Sequence, residues 1–86
     1  MRFQYDPKKS ASNLRKYGID FEQAQLLWDD SDFVEVTARF DDKPRSILIA
    51  SLDNQRWSAV FTYRGDEIRL ISVRRSRKAE VELYES

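Results

Sequence analysis

Hydrophobic positions in this chain follow a helical period up to about residue 33, switch to a period of two, and return briefly to helical spacing at the C-terminal end. "RFQY" places Phe3 and Tyr5 on one face of a short extended segment that stops at Asp6-Pro7. Aspartate before proline opens a helix: the carboxylate accepts from free amides, and proline at the first helical position forfeits no needed donor. "PKKSASNLRKY" is therefore predicted as a helix closed by Gly18 in the left-handed conformation, with Ala11, Leu14 and Tyr17 as a thin apolar stripe. Lys8, Lys9, Arg15 and Lys16 read as its solvated face. "DFEQAQLLWDD" is predicted as a second helix, with Asp20 and Gln23 forming a capping box and Phe21, Ala24, Leu27 and Trp28 facing the core. Trp28 reads as a buried anchor rather than a ligand platform.

Beyond "DSD", Val34, Val36, Ala38 and Phe40 alternate with Glu35, Thr37 and Arg39, the pattern of a strand with one wet face. "DDKP" supplies a turn, "RSILIASL" a more buried strand, and "LDNQ" a second turn. "RWSAVFTY" and "EIRLISV" are two further strands joined around "RGD", where Gly65 provides the positive φ of a tight connection. Strict alternation puts Arg69, Ile71 and Val73 on one face of the last strand, and Ile68, Leu70, Ser72 and Arg74 on the other. "SRKAEVELYE" forms a short helix capped by Ser76, with Glu80 and Tyr84 four apart on one face. The predicted fold is α+β in two layers, an antiparallel sheet of about four strands flanked by two N-terminal helices and a short C-terminal helix. Residues 1–86 are expected to form a single domain.

Composition narrows the possible functions. With no cysteine and no histidine, neither a disulfide, a thiolate zinc site, nor a Ser-His or Cys-His hydrolase is expected. No Gly-rich phosphate loop or metalloprotease motif is present. The paired aspartates at 29–30 and 41–42 fall in predicted turns and read as solvated acid, so neither metal nor cofactor is expected. No apolar run approaches the ~20 residues of a membrane span, which points to a soluble cytoplasmic protein. The formal net charge is zero, yet residues 64–78 hold six basic side chains against Asp66 and Glu67, while the last eight residues carry Glu80, Glu82 and Glu85. The arginine fork fits phosphate oxygens and keeps its charge, so this cluster at the end of a sheet suits a phosphodiester. Cleaving RNA without a metal requires a base for the 2′-hydroxyl, cations for the phosphorane and an acid for the leaving oxygen. Arginines supply the second. Glu80, Tyr84 and Lys16 are candidate bases, each needing a pKa shifted toward neutrality, and Trp57, Tyr63 and Tyr84 are candidate stacking platforms.

Two blocks resemble a known family. "FQYDPKKSASNLRKYGIDFEQAQLLWDD" is similar to the opening of the BrnT family of type II toxins, and "VFTYRGDEIRLISVRRSRKAEVELY" to its second half. The resemblance runs from Phe3 to Tyr84 and implies a RelE-like fold and a ribonuclease that arrests translation by cutting RNA. It also implies a DNA-binding antitoxin of the BrnA type, through which the complex would reach operator DNA. Carried over by position, the basic site would involve Arg64, Arg69, Arg74 and Arg75, with Glu80 and Tyr84 nearby. With the residue reading added, Arg64, Arg74, Glu80 and Tyr84 are expected to be catalytic, and Lys16, Arg69, Arg75 and Arg77 to bind RNA. One departure is at residue 17, where tyrosine stands in place of the family's histidine between Lys16 and Gly18. Two alternatives stay open: a catalytically weak module that docks its antitoxin through the basic patch, and a nonenzymatic RNA binder.

Overall fold

The local hydrogen-bond chemistry at Asp6 produces the first helix. Asp6 accepts from the Lys8 amide at 2.9 Å, Pro7 is the first helical residue, and α1 runs over Pro7–Tyr17 until Gly18 closes it at φ 84°. The computed structural model describes residues 2–40 and 43–86, with residues 38–40 described through their backbone alone. The Asp20 capping box also forms, with Gln23 N–H donating to Asp20 at 2.8 Å and the Gln23 side chain accepting from the Asp20 amide at 3.1 Å. It starts α2 (Phe21–Ala24), but the chain then tightens into a 3₁₀ helix over Gln25–Asp29 instead of continuing as one α-helix. Phe21 and Ala24 are the buried residues of α2 and Leu27 that of the 3₁₀ helix, so both segments turn the same side to the core. Trp28 packs edge-on between Phe3 and Phe61, at centroid distances of 5.0 and 5.2 Å.

The sheet has five strands rather than about four: β1 (Arg2–Gln4), β2 (Val34–Phe40), β3 (Lys43–Leu52), β4 (Gln55–Arg64) and β5 (Glu67–Arg75), in the order β1-β5-β4-β3-β2. It is mixed rather than antiparallel, because β1 pairs parallel with β5 while the other three pairs are antiparallel. A parallel pair needs a long crossover, and everything from α1 to β4 supplies it. The β3–β4 hairpin turns on Asp53 and Asn54, both at positive φ (53° and 65°), as a type I′ turn requires. In the β4–β5 hairpin, Gly65 takes φ 61° at the first central position, where a type II′ turn needs it. The turn expected at "DDKP" includes Asp41 and Asp42, which lie outside the described residues, while Lys43 and Pro44 belong to β3.

α1, α2 and the 3₁₀ helix cover one face, where Phe21, Leu27, Leu48, Phe61, Ile68, Leu70 and Val73 form the centre of the core. α3 (Lys78–Glu85) crosses the opposite face, reaching Ser58 and Arg74, so part of the sheet is covered on both sides. Its N-cap is Arg77 and not Ser76, whose hydroxyl instead meets that of Ser58 at 2.8 Å. The buried residue of α1 is also unexpected: Leu14 and Tyr17 are exposed, and Asn13 is buried. Its amide donates to the carbonyls of Ile19 and Val73, both at 2.8 Å, and accepts from Val73 N–H at 3.1 Å. The side chain thus serves as a strand partner for β5 beyond the end of β1, satisfying backbone groups that would otherwise be unpaired in the interior.

Candidate nucleic-acid interface

A β-bulge decides which arginines share a face. Consecutive β4 residues Val60 and Phe61 pair with Ser72 and Leu70, so Ile71 is an extra residue on β5. The alternation expected from the sequence is broken there. Ile68, Leu70 and Val73 all enter the core, and Arg69, Ser72 and Arg74 all lie on the opposite face. Arg74 therefore shares the face of Arg69, whereas strict alternation separates them.

On that face, beyond the reach of α3, a depression of about 370 Å³ is lined by Lys9, Lys43, Pro44, Arg45, Thr62, Arg64, Arg69 and Ile71. Five lining side chains are cationic and none is acidic. The ion pairs among the described residues are Arg2–Glu67, Arg56–Glu85 and Arg74–Glu80, and none of them engages the five cations. Arg69 is oriented from behind: its guanidinium donates to Gln4 Oε1 at 3.3 Å, and Gln4 Nε2 donates to Glu67 at 2.6 Å. A second depression of about 290 Å³ shares Lys9 and Ile71 with the first and continues along α1 past Ser12, Asn13, Lys16 and Tyr17 to Ser72. Lys9, Ser12, Asn13 and Lys16 lie at i, i+3, i+4 and i+7, one polar stripe turned toward the sheet edge rather than a wholly solvated face.

The expected site residues thus divide into groups. Arg64 and Arg69 line the first depression and Lys16 the second. Arg74 and Glu80 form a closed bidentate pair at 2.7 and 2.9 Å, and the Glu80 carboxylate also accepts from Arg77 N–H at 2.8 Å and Ser58 Oγ at 2.9 Å. The hydrogen bonds from Arg74 outweigh burial and, with the Arg77 amide and Ser58, hold the Glu80 pKa at about 2. That is the opposite direction from the one a base at neutral pH needs. Tyr84 donates to Asp30 Oδ2 at 2.6 Å, and this bond, with burial, raises its pKa, again away from neutrality. Arg75 lies over the Trp57 ring at 5.5 Å on the core-facing side, and Arg77 is exposed at the start of α3. Of the expected stacking platforms, Trp57 is 8% exposed, Tyr63 is tied to Glu35 at 2.7 Å and Tyr84 to Asp30, and none of the three lines either of these two depressions.

Asp30 corrects the expectation of solvated acid. Its carboxylate accepts from Ser51 N–H at 2.8 Å, Asp32 N–H at 2.9 Å and Tyr84, fastening α3 to the sheet. Burial pushes its pKa up, but these bonds and nearby Arg56 prevail and lower it. Among the described residues, no three His, Cys, Asp or Glu side chains gather where they could hold a metal, and no helix is long and apolar enough to cross a membrane.

Residues 5–80 match the sequence model of a family described as the ribonuclease toxin BrnT of type II toxin-antitoxin systems. The chain belongs to that family. No curated protein matches it. A ribonuclease toxin of a type II system acts on RNA and has a cognate antitoxin. Lys9, Lys43 and Arg45 line the depression beside Arg64 and Arg69, a grouping that sequence reasoning missed. They come from two elements far from "YRGDEIRLISVRRSRK", and only the sheet order and the placement of α1 bring them to Arg64 and Arg69.

Proposed function

We propose that this BrnT-family chain is a metal-independent endoribonuclease that binds RNA across the open face of its sheet and halts translation. The observation that carries this is the gathering of Lys9, Lys43, Arg45, Arg64 and Arg69 in one depression. A phosphodiester seated there meets guanidinium and ammonium groups able to stabilise the extra negative charge of a phosphorane formed by 2′-hydroxyl attack. Among the described residues that line it there are five cations and no carboxylate, a setting that disfavours a divalent metal and supports catalysis by charge alone. The antitoxin in this proposal is of the BrnA type, DNA-binding and acidic where it covers the depression, so operator DNA is reached only through it. Kinship with RelE-type toxins and a cytoplasmic site of action belong to the same proposal.

Induced expression without antitoxin should arrest growth and protein synthesis, and the Arg64→Ala, Arg69→Ala double variant at equal protein level should relieve the arrest. Purified protein should cut single-stranded RNA equally in excess EDTA and in magnesium. Equal growth of wild type and the double variant refutes the proposal. A second reading, a binding module without cleavage, is favoured by the directions of the Glu80 and Tyr84 shifts. It predicts tight antitoxin binding and salt-dependent RNA retention with no cleavage products.

A further inference from the structure

The second depression has a different character from the first. Its wall combines an aromatic ring, two hydroxyls and two ammonium groups, where the first is cationic with little else. Tyr17 is 37% exposed there, although its position before a helix-ending glycine suggests packing. The Lys16 ammonium lies 5.2 Å from the centroid of its ring. Ser12 from α1 and Ser72 from β5 both line it, and Lys9 and Ile71 line both depressions. An RNA strand lying in the first depression therefore has a continuous path past Lys9 into the second.

We propose that this depression is a nucleobase subsite, in which an unpaired RNA base stacks on Tyr17 while Ser12 and Ser72 meet its polar edge and Lys9 holds the linking phosphate. The inference rests on RNA occupying the first depression, and it makes Tyr17 a specificity-determining residue. Duplex RNA does not enter, because a paired base has no free face to offer. Stacking of one base on an aromatic side chain changes affinity by about tenfold in comparable sites. It adds no charge neutralisation, whereas each phosphate contact on single-stranded RNA contributes about 0.7 to the slope of log affinity against log salt.

The test measures binding of a short 2-aminopurine-labelled oligoribonucleotide to the full chain across a salt series, with a matched set carrying one abasic position at each site in turn. Tyr17→Ala should weaken binding of the intact oligonucleotide about tenfold at an unchanged salt slope, and Tyr17→Phe and Tyr17→Trp should bind as wild type does. For one abasic register, Tyr17→Ala should make no further difference. Arg64→Ala should lower the slope by about 0.7 for every oligonucleotide. If Tyr17→Ala acts equally on intact and all abasic strands, or if Tyr17→Phe fails like Tyr17→Ala, the subsite is refuted while the cationic depression stands. If Arg64→Ala leaves affinity and slope unchanged, or wild type binds no RNA, both fall together.

Discussion

Replacing Glu80 by alanine removes the acceptor of four hydrogen bonds at once, two from Arg74 and one each from Arg77 N–H and Ser58. The Arg74 and Glu80 side chains are only 16% and 15% exposed, and Ser58 is fully buried. Breaking a buried ion pair costs about 3–5 kcal/mol, and the residual exposure of this one reduces that to about 2–3 kcal/mol. For a chain of this length the loss lowers Tm by roughly 10–20 °C. Acid provides an independent check. The folded pKa of Glu80, about 2, lies below the ordinary value of 4.5, so its contribution is complete above 4.5 and is lost as pH falls toward 2. Urea unfolding followed by the fluorescence of Trp28 and Trp57 should therefore show a gap between wild type and Glu80→Ala that is constant at neutral pH and closes with acid. A double-mutant cycle with Arg74→Ala should return a coupling of about 2 kcal/mol. A coupling under about 0.5 kcal/mol, or a gap that persists at about pH 2, refutes the reasoning.

Asn13→Ala strips partners from two carbonyls and one amide in the interior, and should cost about 2–4 kcal/mol, read as a lower urea midpoint with an unchanged slope. Tyr63 is pushed up to about 12, first by its hydrogen bond to Glu35 and then by burial, so native-state absorbance should show one tyrosine ionising near 12. Glu35→Gln should bring that step down; a raised tyrosine pKa stabilises the folded state below 10 and loses its effect as pH rises through 12. Gly65→Ala places a side chain in open space but at φ 61°, so it should cost about 1 kcal/mol in thermal unfolding, from backbone strain alone.

Features decided by a few neighbouring residues are legible in the sequence. The Asp6-Pro7 opening, the Gly18 stop, the Asp20-Gln23 box and the Gly65 turn all form as local hydrogen-bond chemistry and φ preferences dictate. The extra residue at Ile71 is not legible, because an isoleucine in a β-branched run carries no mark of a bulge, and every residue after it takes the other face. Nor is the burial of Asn13, which depends on unpaired strand edge supplied by residues 60 positions away. Ser76 resembles a cap by type but is drawn to Ser58 across the sheet. Within the candidate site, Arg64 and Arg69 are readable as charges on a strand near a turn. The isolation of Arg74 by Glu80 depends on how α3 folds back, which spacing alone does not encode.

The parallel pairing of β1 with β5 has a consequence for how the molecule comes into being. Arg2 sits beside Glu67, Phe3 beside Ile68 and Gln4 beside Arg69, and Lys9 meets Arg64 and Arg69 in one wall. During synthesis the first of these partners waits for more than sixty residues before the second exists. A polypeptide interrupted anywhere before β5 lacks both Arg69 and the strand against which α1 docks. Products cut short there cannot assemble the five-cation wall, and the depression is completed only with the last strand.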